Sequence, residues 1–143
     1  MKIKEIPCAT ILKLSNDLIK IEYKHDYRVE LEDAKMVDDV FLEFAEGAKV
    51  YGVMDTQGKQ SLFSKEAQKF LANEAPLIKN GQMLGFAMII NNLPNRMMAK
   101  FFITFFKPKH PVKIVASEEQ ALLWITLMRR IAKKKDMSQE VKS

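Results

Sequence analysis

The chain has 143 residues, 48% of them hydrophobic and 29% charged, with one cysteine and a net charge of +5. That length fits one domain with a core large enough to stand without staples, and a single cysteine excludes an internal disulfide. Six Lys/Arg and two Asp/Glu fall within residues 129–143, leaving 17 against 16 elsewhere; a body this close to neutral argues against nucleic acid, which needs a basic face on the fold itself.

No charged–apolar–small leader opens the chain, and no apolar run approaches the ~20 residues of a membrane span, so a soluble, cytoplasmic protein is expected. Residues 6–14 (IPCATILKL) form a nearly continuous apolar run, and 18–24 alternate Leu18, Ile19, Ile21 and Tyr23 with polar residues. Both read as strands. Ser15-Asn16-Asp17 between them is turn chemistry and makes the pair a hairpin. Residues 32–46 repeat Met36, Val37, Val40, Phe41 and Phe44 at helical spacing, with Glu32 and Asp33 in the first turn and Gly47 as the stop. Residues 49–55 read as a strand. Ser64 caps a helix to about Asn73, and 83–90 (MLGFAMII) is a fully buried strand. A helix over 94–107 begins at Pro94 and stops before Pro108. Residues 112–116 are a short strand, and Ser117 with Gln120 caps a last helix to about Lys135.

The expected order is β-β-α-β-α-β-α-β-α: an α/β fold with a mostly parallel mixed sheet of about five strands and four helices. One domain covers 1–135, and 136–143 form a flexible polar tail.

Three segments carry a resemblance: VELEDAKMVDD (29–39), SKEAQKFLANE (64–74) and NRMMAKFFITFFKPKHPVKIVASEEQALLWI (95–125). With the strands between them, the chain from about 17 to 125 resembles the STAS-like domains, named for sulfate transporters and anti-sigma-factor antagonists. The match is to small stand-alone bacterial proteins of that fold, mostly uncharacterised. The resemblance implies the fold already read from periodicity. In the antagonists an Asp-Ser stretch at the start of the helix after the strand at 49–55 carries a phosphorylated serine. This chain has QSLFSKEA (60–67) there, with no aspartate beside Ser61 or Ser64. The phospho-switch motif is therefore missing, and both serines remain weak phosphoacceptor candidates. Cousins of the fold bind apolar or lipid ligands.

The helix 94–107 holds more apolar surface than one sheet face can cover. Met97, Met98, Phe101, Phe102 and Phe105 make the arc expected to face the sheet, and Phe106, Ala99 and Ile103 widen it. Only Arg96, Lys100, Thr104 and Lys107 are polar, whereas such a helix needs an apolar stripe of only about 100°. A partner, a ligand or a neighbouring helix must take the surplus. A second candidate is the crevice at the strands' carboxyl ends, where Asp55, Thr56, Asn91, Asn92 and Ser117 arrive; helix capping and turn formation explain most of these equally well. The cations Arg129, Arg130, Lys133, Lys134 and Lys135 could meet an anionic partner or simply complement the last helix's dipole.

His25 and His110 lie in no ligand spacing with Cys8, so no metal is expected. The glycines at 47, 52, 58, 81 and 85 form no phosphate loop, so no cofactor is expected. Asp38 and Asp39 read as a solvated acidic face. The reading is a non-enzymatic regulatory or protein-interaction domain, its aromatic helix covered by a protein partner or by a second copy in a homodimer. The alternative is a carrier of a small apolar or lipid-like ligand under that helix.

Overall fold

A computed structural model describes residues 1–58 and 62–142 of the chain. A turn at Pro7-Cys8 shortens the strand expected over 6–14 to β2 (Ala9–Ser15) and sets it off from an unexpected strand before it, β1 (Lys2–Ile6). There follow β3 (Leu18–Tyr23), β4 (Arg28–Val29), α1 (Leu31–Ala45), β5 (Val50–Asp55) and β6 (Leu62–Phe63). Next come α2 (Lys65–Lys69), a π-helical turn (Phe70–Glu74), α3 (Pro76–Lys79) and β7 (Met83–Ile89). The chain closes with α4 (Leu93–Phe106), β8 (Val112–Val115) and α5 (Glu118–Lys142).

Six strands form one sheet in the order β1-β2-β3-β5-β7-β8, and β4 pairs with β6 apart from it. The mostly parallel mixed sheet is as expected, with six strands where the sequence predicts about five. The extra one, β1, has three charged residues among its five, Lys2, Lys4 and Glu5, and that charge masks it as a strand. Lys2 and Lys4 reach Glu46 and Glu43 at the end of α1, a charged edge of the kind that discourages further strand pairing. β1, β2 and β3 are antiparallel neighbours, while β5, β7 and β8 run parallel to β3.

The single helix expected from Ser64 to about Asn73 is two pieces, α2 and the π turn, and α3 follows beyond it. Ser64 caps α2, accepting from the Ala67 N–H at 3.1 Å. The π turn then closes with the Ala75 N–H donating to the Phe70 carbonyl at 2.8 Å, and Pro76 opens α3, where a missing N–H costs nothing. Residues 136–142, expected as a tail, continue α5.

The two sheet faces are covered unequally. One carries the main core, in which Ile11, Ile19, Ile21 and Val50 meet Val37, Phe41 and Phe44 of α1, with α3 and α4 closing over it. The other is packed by α5 alone, through Ala121, Ile125 and Trp124 against Tyr51, Val53 and Ala87. Asp17, in the β2–β3 turn, holds α5 there with two hydrogen bonds from Arg129 at 2.9 and 2.6 Å. That guanidinium keeps the Asp17 carboxyl below the usual carboxylate range. Arg129 therefore belongs to the fold and not to a free basic tail. Cys8 is fully buried, and burial pushes its thiol up to about 11.

Candidate functional site

A cavity of about 130 Å³ lies between the main-core face of the sheet and α4. Its floor is Ile21 and Tyr23 of β3, Met54 of β5, and Met83, Phe86 and Met88 of β7. Val37, Asp38 and Phe41 of α1 form one wall; Leu71 of the π turn and Leu77 and Ile78 of α3 form the next. Met98, Ala99 and Phe102 of α4 are the roof, and His110 stands at the edge. A π turn displaces side chains from the α-helical register and is often found beside functional sites; here it sets Leu71 against the hollow.

The space survives for identifiable reasons. Ala99 is only 7% exposed, and its small side chain lets α4 come down on the sheet through that row. On β5, Gly52 lies opposite Phe86 of β7. A Cβ at Gly52 would be 2.5 Å from the Phe86 ring, so glycine is what lets the ring lie back against β5.

Besides the polar side chains of Thr56, Gln68 and Asn95, the apolar lining carries Asp38 and His110. Asp38 is 4% exposed; one carboxylate oxygen accepts from the Leu77 N–H at 3.3 Å. Its Oδ2 finds no hydrogen-bond donor among the described residues. Burial, with a smaller push from the Asp39 charge, raises its pKa to about 6. His110 packs edge-on to Phe86, with ring centroids 6.3 Å apart. Its buried Nδ1 likewise has no partner among the described residues, and burial lowers its pKa to about 4. At neutral pH the imidazole is neutral and the carboxylate largely charged.

Asp38 corrects the expectation of a solvated acidic pair, since only Asp39 is exposed. The missed signal was spacing: Ala34, Val37, Asp38, Phe41 and Ala45 form one buried row of α1, whereas Met36 is 42% exposed.

The aromatic helix is divided. Met98 and Phe102 line the cavity, and Phe106 is half-buried. Met97, Phe101 and Phe105 face outward, which corrects the expectation that they meet the sheet. Of the expected strand-end crevice, only Thr56 borders the cavity, and its hydroxyl donates to the Ile89 carbonyl at 3.1 Å. Asn92 caps α4 by accepting from the Asn95 N–H at 2.9 Å, and Ser117 accepts from the Gln120 N–H at 3.2 Å. Asp55 accepts from the Gln57 N–H at 2.8 Å, and Asn91 is exposed. None of these four lines the cavity. Ser64 is 3% exposed with its oxygen engaged as the α2 cap, and Ser61 lies outside the described residues. Among the described residues no group of His, Cys, Asp and Glu could hold a metal ion.

The model of a family described as a domain of unknown function, DUF7793, matches residues 12–129, most of the chain. No curated protein matches. Among solved structures, the chain is similar to an uncharacterized protein of the DUF3478 family with a SpoIIAA-like fold from Shewanella loihica PV-4. The two share 14% identity with a TM-score of 0.56, over 81% of this chain and 90% of that one. At that identity the likeness shows the fold, which is STAS-like.

Proposed function

For this chain, which belongs to the DUF7793 family of domains of unknown function, we propose a non-enzymatic binding role in which the cavity under α4 holds a small apolar molecule. The cavity itself carries this reading. Its size compares with the engineered apolar cavity of ~150 Å³ that stays dry and binds benzene. The described lining thus suits one ring, or a short chain of similar bulk. A whole lipid tail would require α4 to lift.

Asp38 and His110 add a preference. A ligand with one hydroxyl or amino hydrogen would supply the donor that Asp38 Oδ2 lacks, relieving part of the cost of burying an unpaired carboxylate. The rest of the surface would select for shape and apolar area.

The methionines provide the test. Met54, Met83, Met88 and Met98 line the cavity, whereas Met1, Met97 and Met137 are exposed. In a carbon-13 methyl NMR titration with benzyl alcohol, the first four resonances are expected to shift together while the last three stay in place. If all seven stay fixed up to the solubility limit, or the exposed ones move first, the cavity is not a binding site.

A further inference from the structure

The outer face of α4 is a separate surface. Leu93, Met97, Phe101 and Phe105 succeed one another at four-residue steps, which align along a helix. They are 67%, 61%, 58% and 55% exposed. The Phe101 and Phe105 rings stack with centroids 5.2 Å apart, so the row presents a continuous apolar ridge rather than scattered contacts. Beside it on the same helix runs a cationic row of Arg96, Lys100 and, just past the helix end, Lys107, all exposed. On the opposite flank the Lys65 ammonium of α2 lies 5.7 Å from the Phe105 ring centre. None of these four cations pairs with a carboxylate among the described residues. Glu66 is the acidic residue within α2. Beyond it, the stretch between Glu74 and Glu118 contains six Lys/Arg and no Asp or Glu.

From this we infer that the outer face of α4 docks on an anionic lipid surface. An apolar ridge flanked by basic side chains is the pattern of a helix lying in the plane of a bilayer, with its rings at headgroup depth and its cations among the phosphates. The surface demands diffuse negative charge and a shallow apolar layer together. A second copy fits it poorly: a two-fold contact would set one cationic row against its own image, with no acidic residue in the segment to neutralise it. No helix among the described residues is long and apolar enough to cross a membrane, so the attachment is peripheral.

Vesicle flotation of the full chain tests this. The chain is expected to float with vesicles of equal parts phosphatidylcholine and phosphatidylglycerol, and to remain behind with phosphatidylcholine alone. F101S with F105S should lower partitioning by about tenfold or more. R96E with K100E, which leaves the ridge intact, should lower it by at least about tenfold. All four side chains are exposed, so melting temperature should be retained in both variants. The proposal falls if the wild-type chain ignores the anionic vesicles, or if neither variant changes flotation. It falls equally if light scattering finds a dimer that F101S with F105S converts to a monomer, because a second copy would then cover the ridge.

Discussion

Asp38 and His110 titrate in overlapping ranges with opposite consequences for the fold. Folding raises Asp38 from 3.8 to about 6, so the folded state favours its protonated form. Its charge costs stability that is fully felt above pH 6 and relieved as pH falls toward 4. Folding lowers His110 from 6.5 to about 4, so the folded state favours neutral imidazole. Stability from that group is present above pH 6.5 and lost as pH falls toward 4. Each effect is on the order of 2–3 kcal/mol, and in wild-type protein they offset between pH 4 and 6.5. Urea titrations across that window should therefore give a shallow profile for the wild type. D38N should gain about 1–3 kcal/mol at pH 7 and then lose stability steadily on acidification, exposing the histidine. H110F should do the reverse and gain stability as pH falls. Parallel profiles in all three proteins would show that these groups do not titrate in the folded state as described.

The two faces of α4 mark where sequence reading stops at the scale of an element. Its limits were legible: Asn92 and Pro94 fix the start, and Lys107 turns into the left-handed region at φ 46° to end it. Which aromatic row turns inward was not legible from hydrophobicity, because Phe101/Phe105 and Phe102/Phe106 are equivalent pairs one step apart. The deciding residue is Ala99, whose row allows close approach where a row of Met97 and phenylalanines would hold the helix away. The same logic of bulk applies across the sheet. In G52A the added methyl must push the Phe86 ring off β5, narrowing the cavity. The variant should fold with a loss of about 1–2 kcal/mol by urea titration, and the methionine methyls should lose their response to benzyl alcohol. An unchanged response would mean that Phe86 does not set the cavity's width.

For the molecule as a whole, the α/β class, the hairpin and the parallel crossovers followed from apolar periodicity and turn residues, since buried parallel strands such as Met83–Ile89 have no polar alternation to confuse them. What escaped were features set by partners distant in sequence. β1 needs α1's glutamates to pair its lysines, the two-residue strands β4 and β6 are too short to show a period, and Asp38 is buried because α3 folds over it. The cavity is of the same kind, a product of how α1, the π turn, α4 and the sheet fail to fill one space.

Cys8 sits at the corner where β1 turns into β2, wholly enclosed and with a thiol that stays protonated at ordinary pH. An aromatic disulfide reagent can reach it only when that corner opens, so the chain carries its own clock for breathing of the edge strands. Labelling at pH 8 should be slower by at least about a hundredfold in native protein than in urea, and the native rate should rise in any variant that loosens the grip of Lys2 and Lys4 on α1. Equal rates in buffer and in urea would mean that the corner stands open.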